Sequence, residues 1–396
     1  MSQTASGPEL ENLDRLVIEA TPANGTHSKP PDADESLPRR DFWLLPLVVI
    51  LVLSVVLGAS ELIASRLFPE RGHFSCGTND TSGGRHLKPN CVTHYKNAEG
   101  PDVEYRFNEC GYRSSKPCGP KPPGALRIAL IGTSVTMGLY VPSDETFAVR
   151  TERALSQICQ RPVEVQNLGA IMNMASQPEV VDEAMGLSPD VIVLTVSPFD
   201  IQEAPAVRHS EQQTNSAKIK AAWYKFKLRI RNSRFALAAA HFALMDEQML
   251  YQVFLSNGTS RDLMSSPPTP MGERRYSEFA GTLDRMMPRL TSTGTPVVVL
   301  AVPNRIAAAM VSNNSRVEGV DPWWFGRRIS AMASERGGLP VDVTAKFAAS
   351  PHAERLFYPV DNHPTGEAHA IIADALVERL TDGSIPQMSV CRASQP

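Results

Sequence analysis

Four short stretches of this 396-residue chain carry the side chains that chemistry would need. Ser134 stands in Gly132-Thr133-Ser134-Val135-Thr136-Met137-Gly138, directly after an apolar run. Asn167-Leu168-Gly169 and Ser197-Pro198-Phe199-Asp200 follow two further apolar runs, and Asp361-Asn362-His363-Pro364 precedes a helical pattern near the C-terminus. A serine, an imidazole to take its proton and a carboxylate to orient that imidazole are the parts of nucleophilic acyl transfer. A serine between a strand and a helix sits where backbone N–H groups and the helix dipole favour developing negative charge. The same position equally suits an ordinary helix cap. Gly169 would let the backbone approach a ligand closely. A solvent-exposed cap is the plain alternative for His363, against which stand the Asp361 two residues away and the Pro364 that opens the next helix. His369 falls inside that helix and reads as structural. No His, Cys or Asp pair has metal-ligand spacing on one element, so neither a metal nor another cofactor is expected.

These stretches need elements to bring them together. Leu126–Ile131, Val163–Gln166, Val191–Val196, Val297–Val302 and Val341–Val343 read as five strands, the longer ones predominantly apolar like strands buried on both faces. Helical spacing covers Glu145–Cys159, Pro178–Met185, Tyr276–Leu290, Phe325–Arg336 and Thr365–Leu380. Strands alternating with helices require right-handed crossovers and a parallel sheet covered on both sides. The expected fold is therefore α/β, a three-layer αβα arrangement on a flavodoxin-like five-stranded parallel sheet. Ligands bind such sheets beyond the carboxyl ends of the strands, where the four stretches lie.

In their order the stretches resemble the SGNH/GDSL hydrolases, over about residues 103–380. Gly132-Thr133-Ser134 through Gly138 is similar to the family's Gly-Asp-Ser block, and Asn167-Leu168-Gly169 to the block whose glycine N–H serves the oxyanion hole. Asp361-Asn362-His363-Pro364 resembles the block supplying Asp and His. Asn108-Glu109-Cys110-Gly111-Tyr112-Arg113 looks like a lead-in segment of membrane-linked members. The resemblance implies an ester-bond hydrolase or acyltransferase with Ser134, Asp361 and His363 as its triad. It also has two departures. Thr133 replaces the block's Asp, which should matter little. Phe199 stands where the family has an oxyanion-donating Asn, a loss that typically costs about 10²–10³ in rate. Asn173 and Ser197 are the candidates to replace that donor, and Asp200 closes the same block.

The N-terminal part sets the location. Phe42–Ser60 is uncharged and, continued to about residue 65, long enough to cross a ~30 Å hydrocarbon core. Residues 1–41 read as a disordered cytoplasmic tail, 42–65 as a transmembrane helix contacting the lipid bilayer, and 66–124 as a loop-rich, cysteine-pinned collar. Residues 125–385 then form the hydrolase-like domain with a helical insertion over 203–275, and 386–396 a C-terminal tail. A slight excess of Lys and Arg before the span places the N-terminus inside. All six cysteines lie beyond the span, on the oxidising side. Cys76–Cys91 and Cys110–Cys118 are the simplest pairings within the collar. Cys159–Cys391 would follow if the first and last helices cover one sheet face.

The insertion is basic, with seven Lys or Arg between Lys218 and Arg234 and Ile219, Trp223, Phe226 and Ile230 at helical steps. It reads as a solvated helix on the core, or as a cap resting on anionic lipid or acidic polysaccharide. A net charge of -3 gives no pull toward nucleic acid. The expected protein is a tethered extracytoplasmic (periplasmic if bacterial) serine esterase or O-acyltransferase acting on acylated polysaccharide. The alternative is a degenerate SGNH-like domain that binds carbohydrate or serves in envelope assembly.

Overall fold

The fold is described from a computed structural model covering residues 39–77, 87–171, 178–202, 233–256 and 258–391. The chain divides into two compact units, Met1–Val56 and Leu57–Pro396. In the first, the described residues belong to α1 (Arg39–Leu67), a helix that continues into the second unit. Its stretch Phe42–Leu67, 26 residues with a mean hydropathy of 2.7 over an 18-residue window, is long and apolar enough to cross a membrane by length and composition. Pro46 lies inside this helix.

The second unit opens with a small antiparallel sheet, β1 (Arg71–Gly72), β2 (Val92–Lys96) and β3 (Asp102–Arg106), in the order β1-β2-β3. The collar is thus more regular than its sequence suggests. Val103 and Tyr105 point inward from β3 and pack with Phe107, Met137 and Leu139, while both strands keep charged residues on the other side. That half-polar alternation is what one-sided burial of a hairpin produces.

The main sheet follows: β4 (Leu126–Ile131), β5 (Val163–Asn167), β6 (Val191–Val196), β7 (Val297–Ala301) and β8 (Leu339–Asp342). All pairings are parallel and the order is β5-β4-β6-β7-β8, so the chain is a doubly wound α/β protein. After β4 come α2 (Ser134–Met137) and α3 (Phe147–Ile158), and after β5 comes α4 (Pro178–Gly186). α5 (Pro198–Gln202), α6 (Arg234–Met245), α7 (Glu247–Ser256), α8 (Gly258–Asp262) and α9 (Pro270–Thr291) lie between β6 and β7. α10 (Arg305–Ser312) and α11 (Trp324–Glu335) precede β8, and α12 (Thr344–Ala348) and α13 (Gly366–Thr381) follow it.

Side-chain alternation along the strands divides the core in two. Ile128 and Leu130 of β4 face α3 and α13, packing with Phe147, Leu155, Ile372 and Leu376. Ala129 and Ile131 face α4, α9 and α11, packing with Val181, Leu283, Met286 and Ile329. Each fully buried Leu, Ile or Phe contributes about 1.5–3 kcal/mol relative to exposure, so strands lined on both faces hold the site's framework firmly.

Three boundaries differ from the sequence reading, each for a local reason. α9 begins at Pro270 because Thr269 accepts a hydrogen bond from the Gly272 N–H and Pro270 occupies the first turn; the apolar period alone starts only at Tyr276. α13 begins at Gly366, capped by the Thr365 hydroxyl, and Pro364 lies outside it in a bridge to Phe357. β8 is an edge strand that accommodates Pro340 and stays partly exposed.

Three disulfides join Cys76 to Cys91, Cys110 to Cys118 and Cys159 to Cys391. Cys159 caps the C-terminus of α3, which packs along α13.

Candidate active site

The site is assembled where strands β4, β5 and β6 end and where the loop before α13 returns to them. Ser134 opens α2 immediately after β4. The turn that closes α2 requires glycine at 138, whose φ of 76° is left-handed. Gly169, after β5, passes so close that an added Cβ would lie 2.3 Å from the Met137 nitrogen. Only glycine fits there, which explains the Asn-Leu-Gly stretch through packing as well as chemistry.

His363 reaches Ser134 across the sheet end, its Nε2 lying 2.7 Å from Ser134 Oγ. On the other side of the ring, Nδ1 is hydrogen-bonded to Asp361 Oδ1. With Nδ1–H donating to the carboxylate, Nε2 is left to accept from the serine hydroxyl, the arrangement a general base needs. The spacing of two works because Asn362 between them adopts a left-handed φ of 68°. Its N–H donates to the Tyr358 carbonyl at 2.8 Å, and the Tyr358 N–H donates to the His363 carbonyl at 3.0 Å. The tight loop so formed turns the Asp361 and His363 side chains toward one another.

Aromatic rings enclose the imidazole. Phe199 stacks on His363 at 4.9 Å between centroids and 11° between planes. Tyr140 meets it edge-on at 5.5 Å. Burial, and secondarily the Asp361 charge, push the Tyr140 phenol up, so it remains neutral.

The remaining sequence candidates are placed as follows. The Gly169 N–H donates to Asn167 Oδ1 at 3.0 Å. Ser197 and Asp200 are buried and bonded to each other, with the Ser197 N–H and hydroxyl donating to Asp200 Oδ2 at 2.6 and 2.8 Å at the start of α5. Asn173 and the basic segment 216–232 lie outside the described residues. Among the described residues no group of three or more His, Cys, Asp or Glu is placed to hold a metal ion.

Two positioning roles escaped the sequence reading, that of Glu99 and that of Arg113, which entered it only as the end of a lead-in segment. Glu99, at the turn between β2 and β3, has a side chain only 1 % exposed. Its carboxylate accepts the N–H groups of Val360 at 3.1 Å and Asp361 at 2.9 Å, and it also pairs with His241 of α6 at 2.7 Å. A lone acid in a hairpin turn has no sequence signature, so only the fold discloses it. Arg113 lies buried beneath α2 and donates to the carbonyls of Met137, Gly138 and Val141, stacked 4.4 Å over the Tyr105 ring. Burial lowers its guanidinium to about 10, which leaves it charged at neutral pH. Its segment is held by Asn108, whose Oδ1 accepts the Cys110 and Tyr112 N–H groups. The Asn-Glu-Cys-Gly-Tyr-Arg stretch thus builds a brace under the turn that carries Ser134.

A doubly wound parallel sheet carrying a Ser–His–Asp chain at its carboxyl edge defines the class of this protein. No family model and no curated protein matches the chain. Among solved structures it is similar to a lipase from a goat rumen metagenome, at 16% identity and TM-score 0.37 over 63% of this chain and 95% of the other. It is also similar to a lipase/acylhydrolase from Enterococcus faecalis, at 10% identity and TM-score 0.38 over 64% and 95%. A catalytic mutant of an acetylxylan esterase from Geobacillus stearothermophilus matches at 13% identity and TM-score 0.34 over 68% and 97%. Likeness at this level does not identify a reaction.

Proposed function

We propose that the protein is a serine esterase or O-acyltransferase of the SGNH/GDSL type. In this reading it is tethered to a membrane by α1 with its N-terminus in the cytoplasm, and it acts outside on O-acyl groups of an envelope or exported polysaccharide. The single observation that carries the proposal is the hydrogen-bonded chain Ser134 Oγ, His363 Nε2, His363 Nδ1, Asp361. Ser134 Oγ attacks the ester carbonyl while His363 takes its proton. The tetrahedral intermediate collapses, the C–O bond to the alcohol breaks, and His363 returns the proton to the leaving oxygen. Water or a sugar hydroxyl, deprotonated by His363, then displaces the acyl group from Ser134. The first gives hydrolysis, the second transfer.

The developing oxyanion needs donors. Phe199 offers none, so the Gly169 N–H would have to exchange its Asn167 partner for the substrate oxygen. What Phe199 offers instead is a π-face against the imidazole, favourable once His363 carries the serine proton. The same two features favour a second reading, a domain that binds acylated carbohydrate without cleaving it. One assay separates them. Purified full-length protein in detergent should hydrolyse p-nitrophenyl acetate, and Ser134→Ala should lower the rate by at least about 10³-fold toward background. Equal rates for Ser134→Ala and the parent would refute the assignment, and no turnover by the folded parent would favour the binding domain.

A further inference from the structure

Beside the imidazole, on the far side of Phe199, lies a cavity of about 200 Å³. That is more than ten times the ~10–15 Å³ that holds one water. It sits beyond the carboxyl ends of β6 and β7, between residues that follow those strands and the helices α7 and α8 of the insertion. Leu250, Phe254 and Ile306 form buried walls, Leu244 closes one side, and Val253 stands at the lip, 44% exposed. Phe199 lines the cavity and also stacks on His363, and Asn362, the residue before His363, lines it too. The cavity therefore reaches Phe199, the ring that separates it from the imidazole, and the peptide that leads into His363.

Its polar lining is engaged by the protein. Arg305 is buried and donates to the carbonyls of Glu354, Pro359 and Leu244, tying α10, the catalytic loop and α6 together. Asn304 Oδ1 caps α10 through the Ala307 N–H, and Asn362 Nδ2 donates to the Val360 carbonyl. Of the lining, hydrocarbon is the larger part, which suits an alkyl chain better than a sugar. We propose that this cavity is the acyl-chain site of the enzyme and selects a linear acyl group longer than acetyl. The inference rests on the acyl-enzyme reading, because in that reading the leaving alcohol is a polar sugar hydroxyl and only the acyl group can fill an apolar cavity.

Burying each further methylene should raise kcat/KM about fourfold until the cavity is full. The test compares p-nitrophenyl acetate, butyrate and hexanoate on the full-length protein. Hexanoate should exceed acetate by at least tenfold. Val253→Trp, at a half-exposed lip where the larger ring does not disturb the core, should bring the hexanoate-to-acetate ratio down to about one. Val253→Ala should keep the preference. A parent that prefers acetate, or a folded Val253→Trp with an unchanged ratio, would overturn the proposal. So would a gain for hexyl acetate over ethyl acetate without a gain for hexanoate, which would put the chain on the alcohol side. Hydrolysis of none of these esters would refute the underlying esterase reading instead.

Discussion

Glu99 ties the small antiparallel sheet to the catalytic loop through one buried carboxylate. Accepting two adjacent backbone N–H groups, it fixes the peptide that carries Asp361, and through it the angle at which His363 meets Ser134. An amide at this position keeps the volume but has one acceptor oxygen where the carboxylate has two. With its oxygen accepting both N–H groups, its NH₂ group would replace the oxygen that pairs with His241, and both backbone hydrogen bonds would lose their charge assistance, a cost of about 1–3 kcal/mol. Glu99→Gln is therefore expected to lower kcat by about ten- to a hundredfold with KM little changed, because small displacements of a catalytic group are costly. Glu99→Asp, which retains both oxygens, should recover part of the loss. Steady-state kinetics with one activated ester decide it, and a kcat for Glu99→Gln equal to the parent's would remove Glu99 from the machinery. At this scale the sequence was legible for the side chains proposed to do the chemistry: His363 lies within hydrogen-bonding reach of both Ser134 and Asp361. It was not legible where a side chain acts through a neighbour's backbone, as Glu99 and Arg113 do. Any acid or arginine in a turn can do that, and only the fold decides which one does.

The elements were readable in proportion to how one-sided their burial is. β4, β6 and β7 are buried along their whole length, so each appears as an apolar run, broken only by Arg127 in β4 and Thr195 in β6. β2 and β3 bury one face and expose lysine, glutamate and arginine on the other, which left the collar looking irregular. The two long helices on one face of the sheet, α3 and α13, meet around a buried histidine. His369 Nδ1 accepts the Phe147 N–H at 3.1 Å and its ring stacks on Phe147. Burial, and secondarily the Arg113 charge, lower it to about 3, so the folded protein holds it neutral. Once unfolded, the imidazole titrates near its ordinary ~6.5. The unfolded chain then binds a proton that the native state refuses below that pH, so stability present above about 6.5 is lost as pH falls toward 3. The expected slope from this one group is up to about 1.4 kcal/mol per pH unit in that window. Denaturant unfolding between pH 7 and 4 should therefore show a shallower pH dependence for His369→Gln than for the parent. Parallel curves would contradict the buried neutral state.

At the scale of the whole molecule, the end of α1 that belongs to the second unit is held there by side chains as well as by chain continuity. Glu61, the first charged residue after the apolar run of α1, accepts hydrogen bonds from the Ser233 hydroxyl and the N–H groups of Arg234 and Phe235, capping α6. One turn further on, Ala64 and Phe68 pack against Leu237 and Ala238 of the same helix. α6 then carries His241 to Glu99, and Leu244 to Arg305 and the cavity wall. The insertion thus spans the distance from the end of α1 to the reaction centre. Its sequence disclosed a helical period and a basic character but gave no sign of these partners, which lie 61 to 174 residues away in the chain.

Everything above depends on Ser134 being an activated nucleophile in the intact protein. The most direct measurement is covalent labelling of the full-length chain in detergent with a fluorophosphonate probe, followed by mass mapping of the modified peptide. One probe adduct per chain, located on Ser134 and strongly reduced in His363→Ala, is the predicted result. A folded parent that takes no label, or takes it at a residue other than Ser134, would contradict the account.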